Sequence, residues 1–300
     1  MSAAEQHLAT RRAAGLFDFS FMGLCEFSGT EGLERVQTRA LFRIDPGQAA
    51  YTLVLNDDGS VFNDATVWNL GSDRWWLFTG RRNDCARFRD DARDRSGEHA
   101  ILALQGPLSG RVLSRLVGEE VVRRLRYFRF IETKGMLVAR LGYSGELGYE
   151  LLVPAADERT LRASLLDAGH AEGLRECTFE AANSLRIESG YVLFDREIDG
   201  RANPRELGLE RLVNRPREFA FSRRLVGFEI LAGNAHEDSP VVTVTSECFS
   251  PTLGVRIGLG FAAPEIGIGQ RARLQDGRLA QIALLPFYDR DRRRPRSAPL

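Results

Sequence analysis

The stretch RLGYSGELGYELLVP, from Arg140 to Pro154, is unusual for a β-strand because three glycines, two tyrosines and two glutamates precede its apolar end. Interior glycine weakens a strand and often marks a bulge or the close approach of a ligand to the backbone. Glu150 adjoins the apolar run, where an unpaired charge is costly to bury. The stretch therefore predicts a strand that also belongs to a binding site, with Glu150 and Tyr143 as candidate contacts.

The ligand that suits this stretch is a flat polar ring. A buried carboxylate favours a donor with two parallel N–H groups, and an aminopyrimidinone ring has that geometry. The run GYSGELG is not a dinucleotide-binding turn, because it leads into an apolar strand and does not open a helix. We expect Glu146, which lies in the turn between the glycines, to be exposed and secondary.

Composition excludes several classes of function. The chain has 300 residues, which suits two or three packed units, and its 41 basic and 41 acidic residues give no net charge. That balance argues against a nucleic-acid or membrane-surface partner. The sequence has neither an apolar signal core near its start nor an apolar run approaching the roughly 20 residues of a membrane span. We therefore predict a cytoplasmic protein.

Cysteines and histidines do not form a metal-binding pattern. The four cysteines, Cys25, Cys85, Cys177 and Cys248, are far apart, and neither a CxxC nor an HExxH spacing occurs. We therefore expect no metal site, and a reducing compartment is the natural one.

The order of helical and strand patterns predicts an α+β fold. Helices and strands mix over residues 1–220 without the steady alternation of a doubly wound parallel sheet. The run from Ala49 to Leu70 predicts a hairpin that turns at Asn56–Gly59. The pattern of residues 221–300 predicts short strands joined by turns of Gly, Pro and Ser, which is typical of a small β-barrel or sandwich. We predict a region of two interleaved subdomains at 1–220 and a barrel domain at 221–300.

Two charged segments are interpreted as surface features. The alternating charges of RRNDCARFRDDARDR, beginning at Arg81, predict a solvated helix. The arginine-rich C-terminus, DRDRRRPRSAPL, is expected to be frayed.

Two further groups carry more polar detail than folding requires. Asp64 follows Asn63 in the second strand of the hairpin, and aspartate is a poor strand residue, so it has either a structural partner or a chemical role. Arg186 and Glu188 are expected to pair as buried ions on one helix. The sequence has no GxSxG nucleophile elbow, so an enzyme of this sequence would use carboxylates with an organic cofactor.

An ordered series of motifs over nearly the whole chain resembles a known family. The series comprises GLFDFSFMG, YTLVLNDDGSVFND, LALQGP, RLGYSGELGYEL, RIESGYVLFDREID, NPRELGLERLV and FSPTLGVRIGLGFA. It is similar to the tetrahydrofolate-dependent family that contains the glycine-cleavage T-protein (aminomethyltransferase) and dimethylsulfoniopropionate demethylase. The resemblance implies a three-domain cloverleaf around a central folate channel, with a C-terminal small β-barrel.

The resemblance also implies roles for five residues. Asp64 matches the acid near the folate N5/N10 edge that assists one-carbon transfer, and Glu150 matches the glutamate that binds the pterin ring. Tyr143 matches the aromatic residue beside that glutamate. Tyr51 matches a tyrosine of the folate site, and Met22 matches a methionine of the channel.

Some positions depart from the T-protein pattern. Ala182 stands where the T-protein has arginine, Phe21 where it has histidine, and Glu247-Cys248 where it has Gly-Asn. The chain also begins inside the family's N-terminal pattern, so we expect one wall of the channel to be built differently. These departures argue against a lipoyl-carried aminomethyl donor, and the runs FND and RIESG resemble the demethylase more closely.

Three functions remain open from the sequence. The first is an enzyme that moves a methyl or methylene group between tetrahydrofolate and a small-molecule donor or acceptor. The second is a folate-binding accessory protein like the iron–sulfur-assembly members of the superfamily, although the matching region ESGYVLFDREID lacks their cysteine. The third is a pocket repurposed for another ligand in specialised metabolism.

Overall fold

The computed structural model describes residues 1–215 and 217–300, and in them the chain forms three sheets and six α-helices. The helices are α1 (Ala3–Arg12), α2 (Glu31–Val36), α3 (Ser109–Val117), α4 (Glu119–Arg124), α5 (Glu158–Gly169) and α6 (Phe179–Glu188). A mixed, non-alternating order of helices and strands gives an α+β fold, as the sequence predicts.

The first sheet contains the stretch on which the sequence analysis opens. Its strands are β1 (Gly15–Asp18), β7 (His99–Gln105), β8 (Phe130–Thr133), β9 (Met136–Ala139), β10 (Gly148–Pro154) and β11 (Arg175–Cys177). Their order is β11-β1-β7-β10-β9-β8, and the β1–β11 pair is parallel. Strand β10 therefore lies between two partners, and all of its residues except Pro154 are buried.

The second sheet is inserted between the first two strands of the first sheet along the chain. Its strands are β2 (Gly23–Ser28), β3 (Gln48–Leu55), β4 (Val61–Gly71), β5 (Arg74–Thr79) and β6 (Ala92–Asp94), in the order β3-β4-β5-β2-β6. Strands β3 and β4 form the predicted hairpin. Gly59 turns it with a φ of 89°, which glycine adopts at no steric cost.

The last five strands close on themselves. They are β12 (Arg224–Asn234), β13 (Val241–Ser250), β14 (Val255–Ala262), β15 (Arg271–Leu274) and β16 (Arg278–Ala283), and they form a closed barrel in the order β12-β14-β13-β15-β16. Closure leaves no unpaired strand edge.

Alternation along β10 sends its side chains into two different cores. Leu151 and Val153 pack with α3 and α5 on one side of the first sheet, and Leu152 points to the other side. On that other side the first and second sheets and α6 share one apolar cluster, which we name the inter-sheet cluster. Its members include Phe17, Leu24, Trp68, Phe78, Ala103, Phe130, Ala139, Leu141, Leu152 and Ala182.

The C-terminal segment is docked, so the expectation of a frayed end is wrong. Pro295 is buried, and Leu300 packs against the core beneath α3. Arg140 donates to the carbonyl of Ser297 at 2.5 Å, and Arg294 pairs with Glu146 at 3.2 Å. Residues that are far away in the sequence hold this segment in place. The composition of the segment itself does not indicate those contacts.

Two cysteines pair in the structure. Cys25 on β2 and Cys85, in the 3₁₀ helix Arg82–Phe88, form a disulfide, while Cys177 and Cys248 are free. Sixty positions separate the bonded pair, so their spacing in the sequence does not suggest it. The pairing removes one argument for a reducing compartment, and the compartment stays a prediction.

Among the described residues, the structure has no helix that is long and apolar enough to cross a membrane.

Candidate functional site

Two of the predicted site residues stand on one face of the second sheet, where Tyr51 packs against an apolar cluster that contains Leu53 and Val61. Asp64 on β4 lies opposite Leu53 of β3, and Tyr51 on β3 lies opposite Thr66. Because alternate residues of a strand share a face, Asp64 is on the same side as Thr66 and Trp68, and Trp68 is a member of the inter-sheet cluster.

Asp64 and Tyr51 form one hydrogen-bonded unit. The Tyr51 hydroxyl donates to Asp64 Oδ2 at 2.8 Å. Burial raises the pKa of Asp64 to about 6, although the Tyr51 hydrogen bond acts in the opposite direction. Burial and the neighbouring Asp64 raise the pKa of Tyr51 well above its usual range, so Tyr51 keeps its proton and remains a donor. Asp64 is therefore a carboxyl group that can gain or lose a proton near neutral pH.

A buried polar chain holds the strand at Asp64. The Asn63 side-chain amide donates to Asp84 in a short hydrogen bond, and Asp84 also accepts from Arg81 Nε at 3.1 Å. Asp84 is 4% exposed. The prediction of a solvated helix for this charged run is therefore wrong at Asp84, Cys85 and Phe88, which are all buried.

Glu150 stands on the facing surface of the first sheet. In β10 it lies between Ala103 of β7 and Ala139 of β9, which both have small side chains. Glu150 is 7% exposed, and its carboxyl group makes no hydrogen bond to any residue that the structure describes. Burial raises its pKa to about 7. A nearly buried carboxyl group without a donor is unfavourable for the free protein and favourable for a ligand that brings donors.

Tyr143 can offer a ligand its ring but not its hydroxyl, because the hydroxyl is already hydrogen-bonded within the protein. The hydroxyl donates to the carbonyl of Val192 in a short hydrogen bond, and the ring stacks on Tyr191 with centroids 5.8 Å apart. Burial raises the pKa of Tyr143 well above its usual range, and the carboxylate of Asp64 contributes to that rise. The sequence analysis did not single out Tyr191. Its only sign in the sequence is an aromatic residue directly after a glycine, just beyond the end of α6.

Met22 completes the set at the turn between β1 and β2. It is half-buried and packs against the inter-sheet cluster. Asp64, Tyr51 and Tyr143 thus lie close enough for the charge of one to shift the pKa of another. Glu150 and Met22 face the space between the same two sheets, but neither forms a hydrogen bond with Asp64.

An open cleft of about 560 Å³ lies elsewhere, with Trp76, His99 and Phe130 among its lining residues. None of the five predicted residues lines it. We place the candidate site in the inter-sheet interior, because that is where the two carboxyl groups with raised pKa values lie.

Behind the glycine-rich turn lies a buried ionic cluster that sequence reasoning did not find. Glu146 is 3% exposed and pairs with Arg11 at 3.0 Å, so the expectation that it is exposed is wrong. Arg11 also pairs with Glu188 at 2.8 Å and donates to the carbonyl of Ser144 at 2.8 Å. His7 Nε2 lies 3.1 Å from Glu188. The cluster fixes the turn that carries Tyr143.

Arg186 and Glu188 are both buried, but they do not pair with each other as expected. Arg186 pairs with Glu197 at 2.7 Å and donates to Ser246 of the barrel at 2.6 Å. On a helix, two residues two positions apart point to different sides, so each finds its own partner.

The departures from the T-protein pattern have separate locations. Ala182 is buried in the inter-sheet cluster, and Phe21 is 38% exposed against the edge of Phe179. Glu247 forms ion pairs with Arg256 and Arg278 on the barrel.

The fold and the site together define a class of protein. Two sheets enclose two carboxyl groups that titrate near neutral pH, together with a stacked tyrosine pair, and this arrangement is typical of an interior site for a flat, hydrogen-bonding organic molecule.

Comparison with known proteins identifies the family. The family profile described as "GCVT N-terminal domain" matches residues 1–217. The aminomethyltransferase of Rubrobacter xylanophilus is 34% identical over 329 residues, covering 97% of this chain and 87% of the relative. That of Bacillus subtilis is 30% identical over 332 residues, covering 96% and 91%. The chain belongs to the glycine-cleavage T-protein (GCVT) family.

A solved structure agrees in fold. The glycine cleavage system aminomethyltransferase T from Bartonella henselae superimposes with a TM-score of 0.82 at 23% identity, covering 96% of this chain and 90% of that chain. At this identity the likeness concerns the fold alone.

Proposed function

We propose that this protein is an enzyme that transfers a one-carbon group between a small molecule and tetrahydrofolate. Aminomethyltransferases of its family act with tetrahydrofolate. The observation that carries the proposal is Glu150, a nearly buried carboxyl group with no donor among the described residues. In this proposal the two sheets and the barrel form a cloverleaf around the folate channel.

The residues present fit a pterin ring. The 2-amino group and the adjacent ring N–H of a pterin are parallel donors, and ionised Glu150 can accept both. The cross-strand neighbours of Glu150, Ala103 and Ala139, have small side chains, and in this proposal the Tyr143–Tyr191 stack supplies an aromatic wall. Met22 adds an adaptable apolar contact at the opposite turn.

Asp64 is proposed to handle charge and protons at the reacting edge. Tetrahydrofolate, when bound, supplies a nucleophilic N5 nitrogen for the one-carbon group. A carboxylate whose pKa is about 6 can stabilise developing positive charge or accept a proton at neutral pH. Tyr51 orients it through the 2.8 Å hydrogen bond. The surrounding apolar cluster excludes water, which strengthens both effects.

Two uncharged residues, Ala182 and Phe21, stand on the proposed donor side of the site. Ala182 is buried in the inter-sheet cluster on α6 and offers no charge to a donor, while Phe21 is partly exposed. These positions favour a compact donor over a long lipoyl arm. Methyl and methylene transfer give folate products of different mass, so the product decides between them.

The test separates binding from chemistry. Purified protein is titrated with tetrahydrofolate by calorimetry, then incubated with N-methyl, S-methyl, O-methyl and aminomethyl donors, and the folate product is identified by mass. We expect Glu150→Gln to weaken binding about 10- to 100-fold, because it removes a charge-assisted acceptor. We expect Asp64→Asn to keep binding and lose about 10²- to 10⁴-fold in turnover.

Matched controls lie close to each target. Glu132 is exposed on the same sheet as Glu150, and Asp57 is exposed in the same hairpin as Asp64. Neither Glu132→Gln nor Asp57→Asn should therefore change binding or turnover. Folate binding without turnover of any donor would indicate an accessory protein. The absence of tetrahydrofolate binding would refute the proposal.

A further inference from the structure

The open cleft has the size of a small-molecule site. Its volume is about 560 Å³, and ligand pockets commonly measure roughly 300–1,000 Å³. Its lining comes from both of the first two sheets, with Trp76 of β5 from the second sheet and Phe130 of β8, Met136 of β9 and Leu152 of β10 from the first. None of the residues assigned to the folate site belongs to this lining, so the cleft is a separate feature of the molecule.

Two side chains of the cleft have buried polar atoms without a partner. Trp76 Nε1 and His99 Nδ1 make no hydrogen bond to any residue in 1–215 or 217–300. Trp76 is 7% exposed, and the two rings meet edge to face with centroids 5.5 Å apart. Buried polar atoms are rarely left unpaired in folded proteins, because the hydrogen bond lost to water is then not replaced. Two such atoms on neighbouring rings indicate a ligand that supplies their partners.

The protonation state of His99 determines what this ligand offers. Burial and the charge of Arg95 lower the pKa of His99, and they outweigh Glu98 and Glu26, which act in the opposite direction. The imidazole is therefore neutral at neutral pH and carries one N–H. In the tautomer with its proton on Nδ1, His99 is a second donor next to the indole N–H of Trp76. Two neighbouring donors suit the two oxygens of a carboxylate.

The charged residues of the lining also favour an anion. They are Arg74, Arg95 and Glu132, which together carry one positive charge. Arg95 already pairs with Glu26 and, at 2.5 Å, with Glu98. The Arg74 side chain is 55% exposed and has a single 3.4 Å contact with Glu26, so most of its N–H groups remain for a ligand. Glu132 is exposed, and water and salt screen its charge.

We propose that this cleft binds a small aromatic carboxylate. Its two oxygens accept hydrogen bonds from Trp76 and His99, and its charge attracts Arg74. Its ring lies on the apolar lining supplied by Phe130 and Leu152, where aromatic area is well removed from water. The inference does not depend on the proposed function, because no residue assigned to the folate site takes part.

Calorimetry of the full chain with three probes tests the chemical class. The probes are naphthylacetate, its neutral amide naphthylacetamide, and acetate, which lacks the ring. We expect naphthylacetate to bind saturably at one site. Naphthylacetamide should bind at least about fivefold more weakly, because a neutral oxygen is a weaker acceptor than a carboxylate. Acetate should show no measurable binding, because it has no apolar surface to bury.

Substitutions then locate the probe. Trp76→Phe keeps an aromatic ring and removes the donor, so it should weaken naphthylacetate about five- to tenfold, and His99→Phe should act similarly. Trp75→Phe is the matched control, because Trp75 is the next residue of β5 and packs in a different core. Arg74→Gln should weaken binding about two- to fivefold and reduce its dependence on salt.

The indole N–H proton resonance of Trp76 provides a measurement in the wild-type protein that does not depend on a variant's stability. It should move downfield when naphthylacetate binds, because the N–H gains an acceptor. The inference is overturned if naphthylacetate does not bind saturably, if acid and amide bind equally, or if the Trp76 resonance does not move. It is also overturned if Trp76→Phe keeps the wild-type affinity.

Tetrahydrofolate distinguishes this cleft from the proposed folate site. Saturating tetrahydrofolate should leave the affinity for naphthylacetate unchanged. Competition between the two would place the probe in the folate site and would overturn the inference. A protein that binds naphthylacetate through Trp76 but does not bind tetrahydrofolate would refute the proposed function and leave this inference standing.

Discussion

Glu150 shows how one residue can be unfavourable for folding and favourable for binding. Its neighbours across the strands are alanines, its carboxyl group is nearly buried, and burial raises its pKa from 4.5 to about 7. The folded state therefore holds this proton more tightly than the unfolded state. The stabilisation is complete below pH 4.5 and is lost as the pH rises through about 7.

Glu150→Gln should therefore stabilise the free protein at alkaline pH. A pKa displacement from 4.5 to about 7 corresponds to an upper limit of about 3 kcal/mol in the free energy of unfolding. The gain should vanish below pH 4.5, where both states are protonated. Thermal unfolding of the ligand-free variant across this pH range provides the measurement, with Glu132→Gln as a control that shows no such trend. A variant less stable than wild type at pH 8 would contradict the assignment of Glu150 as an unpartnered charge.

The raised pKa of Asp64 leads to a prediction for the pH dependence of turnover. The carboxyl group is ionised above a pKa of about 6, so activity should rise with pH through that value if the ionised form acts. Tyr51→Phe removes a hydrogen bond that lowers this pKa, and the rise should then move to higher pH. Tyr149→Phe is the control, because that hydroxyl is buried without a partner among the described residues. A pH profile that is the same in all three proteins would exclude Asp64 as the group that titrates.

At the scale of elements, helix α1 and the turn before β10 are joined through Arg11. Arg11 contacts both Glu146 and Glu188 and is 6% exposed. Burial alone would raise the pKa of Glu188, but the hydrogen bond with His7 and the charge of Arg11 outweigh burial and hold that pKa at about 2. The stability from this group is present above pH 4.5 and is lost as the pH falls toward 2.

Arg11→Gln should destabilise the protein by about 3–5 kcal/mol at neutral pH, because it leaves two buried carboxylates without their partner. The neighbouring Arg12 is exposed, so Arg12→Gln should change the free energy of unfolding by less than about 0.5 kcal/mol. Denaturant unfolding of both variants measures the difference. Equal stabilities would mean that the ionic cluster does not fix this turn.

Local patterns predicted the elements better than they predicted the partners. The β3–β4 hairpin and strand β10 follow from alternation and turn residues, which act over a few positions. Burial of Asp84 inside a charged run, the Cys25–Cys85 pair and the docked C-terminus depend on contacts between distant residues, which periodicity does not encode. The sequence analysis singled out Glu150 because a glutamate at the start of an apolar strand is anomalous locally, and its role in binding stays a prediction. The contact of Tyr191 with Tyr143 was not predicted, because it depends on the loop that follows α6.

At the scale of the whole molecule, two apolar clusters cross the predicted boundary between residues 220 and 221. Phe261 of the barrel packs with Leu53 and Val61 of the hairpin, and Ile257 packs with Ile187 of α6. The Arg186–Glu197 pair also bonds to Ser246 of the barrel. The barrel therefore supplies part of the core of the preceding region.

We predict that the two parts unfold as one unit and that residues 1–220 alone do not fold stably. Removing the barrel would expose Ile187 and leave the buried Arg186–Glu197 pair without its hydroxyl partners, and such losses exceed what a marginally stable protein tolerates. Calorimetry of the full chain should show a single transition whose van't Hoff and calorimetric enthalpies agree. The 1–220 fragment should lack the near-ultraviolet dichroism of packed aromatic residues. Two separate transitions, or a fragment that melts cooperatively, would show instead that the barrel is an independent domain and that the inter-sheet site forms without it.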